Sequence, residues 1–363
     1  MPRLAITLGG VAIGLAALGP LPAESQDWTR REFPLAPPNS SGNFVAPFFD
    51  GWYENEDGTY TLSFGFMNRN DADLVEIELG PDNFIEPAEF DGGQPTSFPV
   101  VRYGGFGGPR ERGVFGIVVP ADFQGDVWWT LTTDGYTTRV PGRLVSPGLI
   151  ITGAYELSRT PQARGSLRPR IRFSEDGPDV IGVEGMESPE SLTTAVGEPI
   201  EIEFWAFDRG ERDLRDVNMT LWKLQGPVGG EIAFESLVPA PPPREGAGAR
   251  GGGRGAAAGR AGAGGRGAAA GRGGGGGRGG GGRGFGGFGR SRAPQGPGPV
   301  NIGQSVRLPT EGPDANMGSF KATFDAPGEY VIRIRIDNFT SSDSGPGNQC
   351  CWSNGYVRVR VIE

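Results

Sequence analysis

The chain contains no histidine. That removes the commonest general base and the commonest metal-ligating side chain. Ser-His-Asp and Cys-His nucleophilic sites cannot be assembled from this chain alone. Histidine-ligated haem, blue copper and ordinary catalytic zinc are excluded with them. Lysine is almost missing: Lys223 and Lys321 are the only two, so arginine carries nearly all the positive charge. Cysteine occurs twice, at the adjacent positions Cys350 and Cys351. Beyond the first residues there is no apolar run long enough to span a bilayer. Carboxylate chemistry stays open, but no paired-carboxylate motif stands out, so no catalytic residue is assigned and the chain is not read as an enzyme.

What is present begins with an export signal. Arg3 supplies a short positive n-region, and Leu4 to Leu18 is an apolar stretch of signal-peptide length, too short to cross a bilayer comfortably. Cleavage is expected near Ala23, after Leu21-Pro22-Ala23. No cysteine follows the apolar stretch, so a lipid anchor is not expected. The mature product should be secreted or periplasmic, with no transmembrane anchor left. Residues 24–42 are polar and proline-rich and serve as a linker.

From Asn43 the pattern becomes that of strands. Tyr60–Phe66 alternates after the turn signal Glu56-Asp57-Gly58. Leu74–Leu79, Gly113–Val119 and Asp126–Thr133 follow, with Gly, Pro and Asp between them. Helical periodicity is nearly absent. This rhythm predicts an all-β chain whose first β-sandwich domain spans 43–157. Residues 158–192 form a connector in which Arg170–Phe173 could add an edge strand. A second sandwich, 193–363, is predicted from strands at Ile200–Phe207, Asp216–Leu224, Glu231–Phe234, Ser319–Phe324, Glu329–Ile336 and Gly355–Ile362. The fold class expected is two immunoglobulin-like β-sandwiches, the second carrying a long disordered Arg/Gly/Ala insertion at 239–300.

That insertion holds the strongest composition signal in the chain. Arg254, Arg260, Arg266, Arg272 and Arg278 recur every six residues in a glycine- and alanine-rich background. Such a segment cannot bury enough apolar surface to offset its ordering entropy. Residues 244–292 hold ten of the 34 basic residues and one of the 43 acidic ones, which leaves 24 positive against 42 negative elsewhere. An acidic body with a basic loop can bind its own surface or an external polyanion. Export argues against intracellular nucleic acid. The simpler reading is a neutral, expanded linker.

Three motifs in the second half occur in a telling order: Thr220-Leu221-Trp222-Lys223-Leu224-Gln225-Gly226-Pro227, Gly230-Glu231-Ile232-Ala233-Phe234, and Ala322-Thr323-Phe324-Asp325-Ala326-Pro327-Gly328-Glu329-Tyr330. Together they resemble the PKD-type immunoglobulin-like domains of secreted bacterial proteins, over about 195–363. The chain departs from them at Val228-Gly229, where glycine usually follows at once, and in the tract that parts strands usually joined by a short turn. The resemblance implies a sandwich used for spacing, adhesion or ligand display, and it implies no catalytic residues. From the residues themselves, the Tyr330 hydroxyl is expected to bond back across the Pro327-Gly328 corner, and Trp222 to be a core side chain.

A few further residues are candidates for binding. Trp128 and Trp129 are consecutive in a strand, so one faces the core and the other faces out. The same holds for Trp52-Tyr53 and Phe48-Phe49. An exposed tryptophan could stack on a sugar; packing between domains is the simpler role. Trp52, Trp128, Trp129, Trp352 and Tyr356 are therefore the ligand-binding candidates. Cys350 and Cys351 could close a vicinal disulfide, pair with another chain or remain thiols. Asp208, Asp213 and Asp216 are the residues to watch for Ca2+, although solvated turn positions are the simpler reading; no other cofactor is called for. The expected role is an exported, non-catalytic structural or binding module of the cell surface or periplasm. Its partner would be an extracellular polymer or an envelope protein. The alternatives are carbohydrate binding through exposed aromatics and polyanion binding through the arginine tract.

Overall fold

The structure, a computed structural model, describes residues 42–101, 110–145, 156–157, 167–209, 217–239, 297–338 and 352–363. It is all β apart from one short 3-10 turn. The signal segment, residues 24–41, Cys350, Cys351, Asp213, Asp216 and the five arginines of the repeat lie outside the described residues.

The first half contains β1 (Val45–Glu54), β2 (Tyr60–Asn68), β3 (Val75–Glu76), β4 (Asn83–Glu86), β5 (Ser97–Phe98), β6 (Arg110–Val119), β7 (Val127–Thr133) and β8 (Tyr136–Gly142). They form two three-stranded antiparallel sheets, ordered β1-β2-β6 and β4-β7-β8, closed off by the β3-β5 pair. The sheets meet on aromatic rings. Trp129 lies edge-on to Phe115 at 5.0 Å and to Phe64 at 6.3 Å, and Phe66 lies edge-on to Phe98 at 5.1 Å. The Trp129 indole N–H donates to Asn83 Oδ1 at 3.1 Å, so the largest core side chain is also satisfied as a donor. Of the expected strand at Leu74–Leu79 only Val75–Glu76 forms, and Leu74 and Leu79 are exposed. Alternation was present there, but the segment pairs only with the two residues of β5.

The second half contains β9 (Arg170–Arg172), β10 (Met186–Glu187), β11 (Leu192–Ala195), β12 (Ile200–Phe207), β13 (Asn218–Gln225), β14 (Ile232–Ser236), β15 (Gly298–Val300), β16 (Ser305–Arg307), β17 (Met317–Phe324), β18 (Gly328–Asp337) and β19 (Trp352–Ile362). An outer sheet runs β15-β14-β17-β12-β9, and a central sheet runs β10-β19-β18-β13-β16, with β11 also parallel to β19. With the short β10, β11, β15 and β16 set aside, β9, β12, β14 and β17 lie on one side and β13, β18 and β19 on the other, the strand membership of an immunoglobulin-like sandwich. The core between the sheets is aliphatic and aromatic, with Phe204, Phe320, Ile332, Ile334 and Val359 fully buried. The Tyr330 hydroxyl donates to the Ala326 carbonyl at 2.9 Å, the corner bond expected from sequence.

The edge strand offered at Arg170–Phe173 forms, and a stretch placed in the insertion belongs to these sheets as well. β9 sits in the expected connector and pairs with β12, Ile171 opposite Ala206; β10 pairs with β19. Ile171 is fully buried, and one such anchor is enough to hold three residues on an open edge. Likewise Gly298–Val300 fell inside the expected insertion but form β15, antiparallel to β14, with Ser236 opposite Gly298. The long insertion is therefore a hairpin connection grown between two paired strands. Loop-closure entropy rises only as the logarithm of length, about 0.6 kcal/mol per doubling, so the sandwich tolerates it.

Replacing Tyr330 by phenylalanine is expected to cost about 0.5–1.5 kcal/mol, the net worth of one hydrogen bond at a sandwich corner. Urea denaturation of the variant beside the parent measures it. An unchanged midpoint would mean that the corner bond carries no stability.

Candidate functional site

The described residues from Gly42 onward all belong to one compact unit, so the two sandwiches share a seam. Its cause lies in the central sheet, which is covered on both faces. Met219, Leu221, Ile332, Ile334 and Val359 face the outer sheet. The opposite face carries Trp222, Leu224 and Val331, and these join the aromatic core of the first sandwich. Trp222 is thus a core residue as expected, but of the seam and not of its own sandwich.

Charged residues line the middle of this second face. The Glu111 side chain of β6 is fully buried and accepts from Arg333 at 3.0 Å and Arg335 at 2.9 Å. Arg333, also fully buried, donates through its other nitrogens to Asn354 Oδ1 at 3.0 Å and to the Gly113 carbonyl at 2.7 Å. Every arm of that guanidinium is engaged, which a buried charge requires. Burial lowers the Arg333 pKa, and Glu111 opposes that shift. Asp50 of β1, its side chain fully buried, sits beside Arg110 and Arg112 of β6 and accepts from the Gly113 amide at 2.9 Å. Burial pushes its carboxyl above the ordinary range, against the attraction of Arg110. A second tie comes from Lys223. Its ammonium pairs with Glu76 and donates to the Pro227 and Gly230 carbonyls at 2.8 and 2.6 Å. Backbone joins the seam as well: the Thr96 amide donates to the Leu224 carbonyl at 2.8 Å.

The segment 182–185 threads between β6 and β19. Glycine permits this. A Cβ at Gly116 would stand 2.6 Å from the Glu184 nitrogen, and one at Gly185 would stand 2.5 Å from the Tyr356 ring. The Val183 carbonyl accepts from Asn354 and from the Tyr356 hydroxyl, both at 2.9 Å. That burial raises the Tyr356 pKa to about 12, partly offset by Arg333. Where the seam opens to solvent it leaves a cleft of about 210 Å³ with an apolar floor of Phe115, Leu224 and Val331 and a rim of Glu184, Glu187 and Arg358. Glu187 and Arg358 pair with each other. Ligand sites usually measure some 300–1,000 Å³, so this cleft suits a single side chain better than a cofactor. Desolvation raises the Glu184 pKa, with Arg168 opposing it.

The sequence candidates distribute around this seam differently from a sugar platform. Trp129 is in the core of the first sandwich, and Trp52 and Trp352 are buried. Trp128 is half-buried beneath the Arg139 guanidinium, 4.1 Å from its ring centre. So Trp128 and Trp129 do divide between outside and core. Trp52 and Tyr53 do not, because β1 is covered on both faces: Trp52 packs on Tyr60, while Tyr53 clusters with Val183 and Trp352. The coplanar exposed pair that carbohydrate stacking needs is not formed by these residues. Tyr356 is half-buried and spends its hydroxyl inside the seam. Asp208 accepts from Asn338 Nδ2 at 2.7 Å, tying the ends of β12 and β18 together. Among the described residues no group of three or more acidic or cysteine side chains is placed to hold a metal.

Reasoning from sequence missed Arg333, Arg335 and Glu111. In Arg333-Ile334-Arg335 the alternation marks the arginines as a solvent face. Only the arrival of the first sandwich buries them. Further along the same face, Arg358 and Arg360 stay exposed because the cover has ended.

Two outcomes follow. Glu111→Ala would leave two buried arginines facing each other and should cost about 3–5 kcal/mol by urea denaturation; a loss below 1 kcal/mol would mean the seam does not depend on this carboxylate. Glu184→Gln should raise the thermal midpoint at pH 7 and leave it unchanged near pH 4. Because the folded state raises this pKa, its proton stabilises the fold at low pH, and that contribution is lost as pH rises through the folded value. Equal midpoint shifts at both pH values would contradict this.

No protein-family model and no curated protein matches the sequence. Among solved structures the chain is similar to one from Corynebacterium diphtheriae, described as a membrane-anchored protein, at 10% identity and a TM-score of 0.16, over 87% of this chain and 59% of that one. At that score the likeness carries no argument. No helix among the described residues is long and apolar enough to cross a membrane.

Proposed function

We propose that the chain is an exported, non-catalytic structural or binding module of the cell surface or periplasm, its second sandwich a PKD-type domain. The observation that carries this reading is the seam. Among the described residues two buried charge groups, Glu111 with Arg333 and Arg335 and Lys223 with Glu76, lock one sandwich to the next. A block joined in this way transmits orientation without a hinge, which suits a spacer or display mount. The Tyr330 corner and the immunoglobulin-like strand order support the PKD-type likeness. The apolar stretch after Arg3 supports export. The carbohydrate alternative loses its support with the burial of Trp52, Trp129 and Trp352.

A rigid module should unfold as one unit. Far-ultraviolet circular dichroism and tryptophan fluorescence are expected to report a single coincident urea transition, although the tryptophans are concentrated at the seam and in the first sandwich. Two resolved transitions would remove the rigid-mount argument. Function itself is tested by fractionating cells that express the full chain and then screening the purified protein, with and without residues 244–292, against polysaccharides, DNA and envelope extracts. Retention in the cytoplasm would overturn the reading, as would turnover of any of these polymers.

A further inference from the structure

The outer sheet has one face in the core and one in solvent. On the solvent side β12 presents Glu201 and Glu203, both exposed and alternating with buried Ile202 and Phe204. β14 presents Glu235, exposed between buried Phe234 and Ser236. The pairing places Glu201, Lys321 and Glu235 in one row across β12, β17 and β14, and Glu203 in the next row, opposite Ser319. Lys321 is half-buried and is the one cation in these rows, so the face keeps an acidic excess. Among the described residues none of these three glutamates has a salt-bridge partner within 4.0 Å.

The arginine tract is anchored at this face. It leaves after Ser236 and returns at Gly298, and these two residues are paired partners. Glu235 is one residue from the exit point. The Leu237 amide bonds the Ser319 carbonyl, which sets Glu203 two strands away, about 10 Å at ordinary strand spacing. Residues 244–292 bring ten arginines and one glutamate to a patch whose exposed charges in the Glu201 and Glu203 rows are carboxylates; exposed Arg170, at the far β9 edge, is already paired with Asp179. A tethered segment meets a neighbouring surface at an effective concentration on the order of millimolar, so individually weak contacts suffice.

We infer that the arginine tract docks on the Glu201–Glu203–Glu235 face of its own outer sheet, as an ionic contact within one chain. This stands independently of the role proposed for the module. It makes the acidic face an internal competitor: an external polyanion reaches the arginines only by displacing the sheet.

Trypsin reads the contact directly, because it cuts after arginine. In the full chain at low salt, the first cut within 244–292, located by mass spectrometry, is expected to be at least about threefold slower than in the Glu201→Gln/Glu203→Gln/Glu235→Gln variant. The difference should vanish near 0.5 M salt, where screening is effective within a few ångströms. The substitutions are isosteric and exposed, and thermal unfolding checks that the fold is intact. A control variant, Glu78→Gln/Asp82→Asn/Glu89→Gln, removes three exposed charges from the first sandwich and should leave the cutting rate unchanged. Heparin, as the polyanion probe, should bind the outer-sheet variant more tightly than the parent. Equal cutting rates in parent and outer-sheet variant would overturn the inference. So would equal acceleration by the control variant. Protection that grows with protein concentration would place the contact between two copies and overturn it as well.

Discussion

Covering the central sheet on its second face is the constraint on which the rest of the molecule depends. A sandwich needs only one buried face per sheet, and the residues opposite can stay polar. Here that opposite face is covered too, and it carries arginines. Two guanidiniums taken out of water cost several kcal/mol each unless every donor finds a partner. Glu111, Asn354 and the Gly113 carbonyl engage every nitrogen of Arg333, while Arg335 is held by Glu111, Thr220 and, at 3.5 Å from its Nε, Asp337. The demand for full satisfaction fixes the seam's geometry more tightly than an apolar contact would. Leu224 and Val331 could slide against Phe115; Arg333 could not lose its ligands without leaving charge stranded.

The same constraint explains where glycine is used. Segment 182–185 must pass between β6 and β19 to bring Val183 within reach of Asn354 and Tyr356. Side chains at Gly116 or Gly185 would fill that passage. The cleft left at the open end of the seam is a by-product of this threading, and its small volume and paired rim charges fit that origin. The outer sheet answers to a different logic. It borders solvent, its exposed face kept acidic, and its β14–β15 edge accommodates the arginine tract without disturbing the core.

Much of the architecture was legible in the chain. Alternation located Tyr60–Phe66, Ile200–Phe207 and Glu329–Ile336 within a residue or two of β2, β12 and β18. The corner role of Tyr330 was legible because the Pro-Gly turn that precedes it is local. The edge strand offered at Arg170–Phe173 forms as β9, but short strands such as β10 and β15 were not legible. Their pairing energy comes from neighbours distant in sequence, and three residues carry no period of their own. The candidate site was less legible still. Packing between domains was the expected role for the outward-facing tryptophans, but Trp128 lies under Arg139 and it is Trp222 that enters the seam, which depended on how the sandwiches meet.

By itself, then, the sequence determined the all-β class, the absence of histidine chemistry, and an acidic body with a basic insertion. These follow from composition and from short-range periodicity, which tertiary contacts do not alter. Only the tertiary structure decided that Arg333 and Arg335 are interior residues, that Trp222 belongs to the seam, and that the arginine tract springs from a paired hairpin beside three exposed glutamates. Each of those depends on contacts between residues far apart in the chain. Alternation tells a residue's side of the strand; what comes to rest against that side is settled only when the two sandwiches pack.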